Sequence, residues 1–137
     1  MRIRTFSVEE ANRALPQVRR YAERIVTLGR QLSELQDDLQ VATYRSGRSD
    51  ATQGDEAAVR AATAALREVE EGFLDALHGL ETIGVELKDP RQGLVDFPSV
   101  RENVIVELCW RLGEDRISYW HPTGAGHDPR HSLSSGG

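Results

Sequence analysis

The sequence has a single cysteine, few aromatic residues and no long apolar run. Of its 137 residues, one is Cys and 6% are Phe, Trp or Tyr. One cysteine cannot form an internal disulfide, and the first residues, MRIRTFSVEE, do not have the apolar stretch of a secretory signal. No segment approaches the roughly 20 apolar residues that span a bilayer. We therefore expect a soluble, cytoplasmic protein without a membrane segment.

An excess of positive charge is also absent. The 17 Lys and Arg against 22 Asp and Glu give a formal net charge of -5. Binding to a phosphate backbone needs clustered Lys and Arg, so this composition argues against nucleic acid as a partner. Residues 1–48 hold nine Arg against six acids, whereas residues 49–83 hold two Arg against eight acids. This asymmetry favours packing of the first segment against the second, although exposed ion pairs contribute only ~0–1 kcal/mol each.

The N-terminal part of the chain has the apolar spacing of a long amphipathic helix. Ser7 and Glu10 match a capping box, in which each residue bonds the backbone amide of the other, and this predicts a helix over residues 7–44. Pro16 lies beyond the first turn of that helix. Because an interior proline removes a backbone hydrogen bond, we expect a break or kink near Leu15.

A second helix is predicted over residues 55–83, with Asp55 as its N-cap. In both segments apolar residues recur at alternating steps of three and four, which predicts a long antiparallel, coiled-coil-like helical hairpin. Small or apolar residues flank this seam on the second helix: Ala58, Ala65, Gly72, Leu77 and Gly79. Such a widened face needs a further partner, either the sheet or a second copy of the hairpin, and we therefore predict a homodimer.

From residue 84 the apolar pattern changes to the period of two that is typical of strands. Residues 84–121 predict a small, mostly antiparallel sheet of four strands. Residues 122–137 are rich in Gly, Ser, Pro and His, which predicts an extended or disordered tail unless a ligand fixes it. The chain has the length of one domain, so we expect a single α+β domain over residues 1–137, with the helical hairpin packed on the sheet.

Three segments carry a family resemblance. They are RTFSVEEAN (residues 4–12), GVELKDPRQGLVDFP (84–98) and LCWRLGEDRISYWH (108–121). With these segments the chain resembles the bacterial domain-of-unknown-function family 2203. The resemblance implies a small soluble α+β protein with a long helical hairpin, and it assigns no activity. The tails of family members resemble GFAGRQP, where this chain has GHDPRH (residues 126–131). Arg130 matches the arginine of that segment, and His127 stands in place of its aromatic residue.

The final third of the chain holds five residues of the types that bind zinc or another divalent metal. They are Asp96, Cys109, His121, His127 and His131. Strand alternation puts Cys109 on one face with Glu107, opposite Trp110. A three-residue loop in the last hairpin puts His121 opposite Glu107 on the same face, whereas a two- or four-residue loop puts His121 beside Trp110.

Each candidate also has a structural interpretation. Cys109 has the character of a small buried side chain, and Asp96, inside a short strand, either faces water or has a dedicated partner such as Arg, backbone amides or a metal. Three aromatic residues of the last hairpin either cover the sheet against the helices or stack on a ligand: Trp110, Tyr119 and Trp120. The candidate binding residues are Trp110, Glu114, Trp120 and Arg130, of which Glu114 has the simpler interpretation of a turn residue.

Two functions follow from these patterns. The leading hypothesis is a non-catalytic protein-interaction module that uses the helical arm or the sheet. The alternative is a metal-dependent enzyme, a hydrolase, whose site is built from Asp96, Cys109, His121 and the tail histidines. An enzyme of this kind needs at least three of these side chains around one open position, so spatial convergence discriminates between the two.

Overall fold

The computed structural model describes residues 4–124 and 130–133. Two helices come first, α1 (Val8–Ser46) and α2 (Gln53–Ile83). Five strands follow: β1 (Glu86–Asp89), β2 (Leu94–Arg101), β3 (Val104–Arg111), β4 (Tyr119–Pro122) and β5 (His131–Ser132). The expected α+β fold is confirmed. None of the described helices combines the length and the apolar character that crossing a membrane requires.

Reciprocal capping boxes begin both helices. At α1 the Ser7 hydroxyl accepts from the Glu10 amide at 3.0 Å, and the Glu10 carboxylate accepts from the Ser7 amide at 2.9 Å, as the sequence predicts. The second helix begins earlier than expected, because Thr52 is its N-cap and Asp55 occupies the third helical position of the box. In this box the Thr52 hydroxyl accepts from the Asp55 amide and the Asp55 carboxylate accepts from the Thr52 amide, so two backbone amides are satisfied. Asp55 as N-cap would not form this reciprocal pair.

The expected break near Leu15 is wrong, since α1 runs without interruption through Pro16. Pro16 is exposed, so its ring faces solvent, whereas Leu15 and Val18 beside it are buried. An interior proline costs roughly 3 kcal/mol, and each fully buried large apolar side chain stabilises by about 1.5–3 kcal/mol. Burial on both sides of the proline therefore holds the helix together.

The two helices pack antiparallel, which explains two of the small residues on α2. A Cβ at Gly79 would overlap the ring of Tyr21, and a Cβ at Gly72 would come within 3.1 Å of Leu28. Both glycines therefore face α1, where they permit a close approach of the two backbones. The sequence pattern suggested that these glycines belong to a widened face that needs a further partner, and this interpretation is wrong for both.

The sheet has five antiparallel strands in the order β1-β2-β3-β4-β5, not the four that were expected. The additional strand comes from the predicted tail. His131 pairs with Trp120 and Ser132 with Tyr119, and the amide of Leu133 donates to the carbonyl of Ser118 at 2.9 Å. This pairing satisfies backbone N–H and C=O groups at the edge of β4 that would otherwise have no partner in the sheet. The composition of the tail does not indicate it.

The hydrophobic core lies between one face of the sheet and the part of the helical hairpin nearest to it. On the sheet side it contains Val95, Phe97, Leu108 and Trp110, all of them buried. The buried residues of α1 end at Ile25, so the distal half of the hairpin extends beyond the core. The helices cover the face of the sheet that carries these core residues. The opposite face carries polar residues, among them Asp96 and Glu107.

Candidate metal centre

Strand register gathers four ionisable residues on the face of the sheet that points away from the helices. Asp96 of β2 pairs with Cys109 of β3, and Glu107 of β3 pairs with His121 of β4. Side chains of directly paired residues share a face, and residues two apart along a strand do so as well. The observed register is thus the one that puts His121 opposite Glu107, and it brings all four side chains to adjacent positions on three central strands.

His121 occupies the centre of this cluster. Its Nε2 atom lies 3.1 Å from Oδ1 of Asp96 and 3.5 Å from Oε2 of Glu107. Its other nitrogen, Nδ1, lies 3.0 Å from the carbonyl oxygen of Pro122. A carbonyl oxygen only accepts hydrogen bonds, so Nδ1 carries a proton. In the neutral tautomer, the lone pair of Nε2 therefore points at two carboxyl groups, an arrangement that needs either a second proton or a cation between them.

Asp96 has a further unusual feature. Its carboxylate is 2% exposed, yet its Oδ2 atom has no hydrogen-bond partner among the described residues. The ammonium of Lys88 lies 3.8 Å from Oδ2, which is beyond hydrogen-bond distance. Burying a carboxylate oxygen without a partner is costly, so this atom needs either a proton shared with the adjacent Glu107 carboxyl or a cation beside it.

Asp96, Cys109 and His121 form a group of side chains that could hold a metal ion. One ligand atom from each residue lies within 4.8 Å of the other two. A tetrahedral zinc ion binds sulfur, nitrogen and oxygen at about 2.0–2.3 Å, which separates its ligands by roughly 3.5 Å. At separations of up to 4.8 Å, the three atoms therefore lie farther apart than the ligands of a bound zinc ion, and binding would draw them closer. Three of the five residues predicted as ligands converge here.

Glu107 and Lys88 were not singled out by the sequence pattern, although both belong to the site. Glu107 is buried, and its burial together with the adjacent Asp96 carboxyl raises its pKa to about 7. The ammonium of Lys88 lies 4.0 Å from Oε2 of Glu107. The signal for Glu107 was its position two residues before Cys109 on a strand, which places both side chains on one face.

Burial and neighbouring charges also set the other protonation states. Burial raises the pKa of the Cys109 thiol to about 11, against the opposing charge of Arg130, so at neutral pH the thiol is protonated and is a poor nucleophile. For His121, burial alone would lower the pKa. Hydrogen bonding to the Pro122 carbonyl and the charge of Asp96 outweigh burial and raise it.

These side chains line a cleft of about 550 Å³ on the sheet face. The acidic and sulfur groups contribute to its lining, and so do three cationic residues: Lys88, Arg111 and Arg130. The site is thus a pocket that opens to solvent and holds both the candidate ligands and several basic groups. Pockets with a few convergent polar groups are the usual location of ligand and active sites.

The remaining predicted ligands do not join the cluster in the described part of the chain. His127 lies outside the described residues. His131 is exposed and stacks on Trp120 with ring centroids 4.7 Å apart. His131 therefore belongs to the sheet edge at β5 and does not line the cleft.

The four predicted binding residues have three different locations. Trp110 is fully buried against the helices, and its Nε1 donates to the carbonyl of Glu114 at 3.0 Å. Trp120 is half-buried at the edge of the core. The Glu114 carboxylate accepts from the Arg111 amide at 2.7 Å and from Nη2 of Arg130 at 2.6 Å. Glu114 is therefore a turn residue, as one interpretation had it, and it also holds Arg130 in position.

Tyr119 lies on the cleft face with Cys109, not against the helices. The guanidinium of Arg130 lies over its ring, 4.0 Å from the ring centroid. The same guanidinium donates through Nη2 to the carbonyl of Cys109 at 3.2 Å. Stacking on Tyr119 therefore directs Arg130 from the edge of the sheet towards the central strand.

Comparison with known proteins agrees with the resemblance seen in the sequence. No curated protein and no solved structure matches this chain at a significant level. A family model described as an uncharacterized conserved protein matches residues 4–133, a span that includes both helices and all five described strands. The chain therefore belongs to the family of uncharacterized conserved proteins DUF2203.

Proposed function

We propose that this protein binds a divalent transition metal, with zinc as the best fit, through Asp96, Cys109 and His121. The observation that carries the proposal is the convergence of these three ligand types within 4.8 Å, around a buried Asp96 oxygen without a hydrogen-bond partner. An interaction module does not need these residues to meet, so their convergence supports an enzyme over such a module. A metal-dependent hydrolase is the function that this site supports best.

The orientation of His121 is compatible with metal binding. Metal-binding histidines commonly donate their second ring N–H to a backbone carbonyl, which orients the lone pair towards the metal. The contact between Nδ1 of His121 and the Pro122 carbonyl is of this type. A cation beside Nε2 would also neutralise Asp96, so one ion resolves both unusual features of the site.

The donor set favours zinc over harder cations. A thiolate, an imidazole and a carboxylate suit a borderline metal, whereas magnesium and calcium prefer sites made of oxygen alone. Cys109 would lose its proton on binding, as thiol ligands do. A reduced thiol is stable in the cytoplasm, and we infer that compartment for this protein.

Three protein ligands leave one coordination position of zinc for water or substrate, as in catalytic zinc sites. Bound zinc lowers the pKa of coordinated water to about 7, and this is the chemistry that the metal supplies. Glu107, whose Oε2 lies 3.5 Å from Nε2 of His121, would be the carboxylate that accepts a proton from such a water. This pairing of metal and carboxylate is why we favour hydrolysis.

The first test is elemental analysis of untagged protein purified without chelator, together with zinc uptake by the metal-free chain. We expect stoichiometric zinc in the wild type and its loss in Cys109→Ser and in His121→Ala. His131→Ala is the matched control, because His131 stacks on Trp120 outside the cluster. Circular dichroism of each variant shows whether its fold is retained.

A second measurement requires no substitution. Cobalt added to the metal-free wild type should produce a sulfur-to-cobalt charge-transfer absorption, because Cys109 would supply a thiolate ligand. Absence of zinc from the purified protein, with no uptake of zinc and no such absorption, would overturn the metal proposal. Equal zinc content in wild type and both cluster variants would do the same.

Self-association of the helical arm is a second candidate function, supported by a separate observation. Large apolar side chains on the arm are well exposed: Val41 at 50%, Tyr44 at 70% and Leu74 at 59%. We expect sedimentation equilibrium to show a homodimer for the wild type and a monomer for the double variant Val41→Lys, Tyr44→Lys. A wild type that stays monomeric at high protein concentration would contradict the proposal.

A further inference from the structure

Two basic side chains reach the central strand of the sheet from opposite edges. Lys88 starts from β1, at one edge, and its ammonium lies 3.8 Å from Asp96 Oδ2 and 4.0 Å from Glu107 Oε2. Arg130 starts beside β5, at the other edge, and its Nη2 lies 3.2 Å from the carbonyl oxygen of Cys109 on β3. Both cations line the cleft that contains the candidate metal ligands.

Neither cation uses all its hydrogen-bond donors. The Lys88 ammonium has three N–H donors, and the one hydrogen bond that the described residues give it goes to exposed Glu86 at 3.2 Å. The Nε atom of Arg130 is buried and has no partner within residues 4–124 and 130–133. Buried donors without partners are uncommon in native proteins, so the Arg130 Nε indicates that a ligand group belongs nearby.

We infer that Lys88 and Arg130 bind an oxyanion group of the substrate, a phosphate or a carboxylate, above the metal site. This inference rests on the proposed metal function. Asp96 lies 3.8 Å from Lys88, and a divalent ion on Asp96 would take over its neutralisation. Lys88 then has one acidic neighbour fewer, with Glu86 at 3.2 Å and Glu107 at 4.0 Å, and more of its charge is available to an anion. The guanidinium of Arg130 has the planar donor geometry that suits phosphate and carboxylate oxygens. The substrate class is therefore a small anionic molecule, such as a phosphate ester.

The test is isothermal titration of inorganic phosphate into the zinc-loaded full-length protein and into the metal-free protein, at constant ionic strength. We expect binding to the zinc-loaded form and much weaker binding to the metal-free form. Lys88→Gln should weaken phosphate binding about tenfold, since it removes one charged donor. Arg116→Gln is the control, because Arg116 is an exposed arginine that does not line the cleft. Acetate titrated in the same way distinguishes a carboxylate from a phosphate site.

Arg130 has two possible roles, and they predict different effects of Glu114→Gln on phosphate affinity. If Arg130 binds the anion, Arg130→Gln weakens phosphate binding about tenfold, whereas Glu114→Gln, which removes the competing carboxylate, preserves or strengthens it. If Arg130 only braces the turn through Glu114, both variants weaken binding alike.

Failure of this inference is distinguishable from failure of the metal proposal. A chain that binds zinc but neither phosphate nor acetate overturns the anion site and leaves the metal site intact. Equal phosphate affinity in the wild type and Lys88→Gln also overturns it. A chain that takes up no zinc overturns the metal proposal, on which the inference depends.

Discussion

Nε2 of His121 lies 3.1 Å from Oδ1 of Asp96, although the two residues belong to strands that are separated by β3. The contact crosses the central strand above Cys109 and Glu107, which occupy it. Neighbouring strands lie about 4.8 Å apart, so side chains from β2 and β4 meet only when both point to the same face and lean towards the centre. The pairing of these two residues is what creates a site in place of separate surface groups.

Asp96→Asn should weaken zinc binding at least tenfold, because an amide oxygen is a poorer ligand than a carboxylate and carries no charge to offset the ion. The measurement is a competition titration of zinc with a chromophoric chelator. Asp115→Asn, at an exposed acid of the turn before β4, is the matched control. Unchanged zinc affinity in Asp96→Asn would show that Asp96 is not a ligand.

Glu107→Gln should keep the zinc content of the wild type and lose hydrolytic rate. Gln has nearly the same size but cannot accept a proton, and loss of a general base lowers rates by about 10²–10⁴. The measurement is hydrolysis of p-nitrophenyl phosphate by zinc-loaded protein, with p-nitrophenyl acetate as the comparison ester. A rate that Glu107→Gln leaves unchanged contradicts the assigned role of this carboxylate.

Glu114→Gln should lower the melting temperature at pH 7, and the difference from the wild type should shrink in acid. Burial by itself would raise the pKa of Glu114, but the hydrogen bond and charge of Arg130 and the Arg111 amide outweigh it and lower the pKa. A group with a depressed folded-state pKa stabilises above its unfolded value of 4.5, and that contribution disappears as the pH falls through the folded value. A melting-temperature difference that is constant from pH 7 to strong acid would contradict this account.

Pro16→Ala should raise the free energy of unfolding by about 1–3 kcal/mol. Alanine restores a backbone N–H inside α1 and removes the steric conflict of the proline ring, while the exposed position leaves the core unchanged. Urea denaturation followed by circular dichroism measures the change. Equal or lower stability of the variant would mean that the helix around Leu15 depends on the proline for its shape.

Much of the fold follows from local patterns in the sequence. The capping box of Ser7 and Glu10 and the left-handed glycine that ends α2 involve neighbouring residues, so they can be recognised without tertiary information. The change of apolar period at residue 84 separates helices from strands for the same reason. The chemical types of the site were also visible, because Asp96, Cys109 and His121 stand out in a chain with one cysteine and four histidines.

Other features depend on contacts between distant segments. The continuity of α1 at Pro16 results from burial on either side of it, which outweighs the local cost. The strand β5 exists because β4 presents an open edge, and nothing in the composition of the tail indicates that pairing. Gly72 and Gly79 were expected to face the sheet or a second hairpin, and both interpretations were wrong, because these glycines approach α1.

The sequence by itself determined the fold class, the helical hairpin and the residue types available for chemistry, because each depends on short-range periodicity and composition. Tertiary structure alone decided which of those residues meet. A shift of one residue in the pairing of β3 with β4 would turn His121 to the Trp110 face, since successive strand side chains alternate. The register of three strands therefore selected Asp96, Glu107, Cys109 and His121 as neighbours and left His131 at the edge of the sheet.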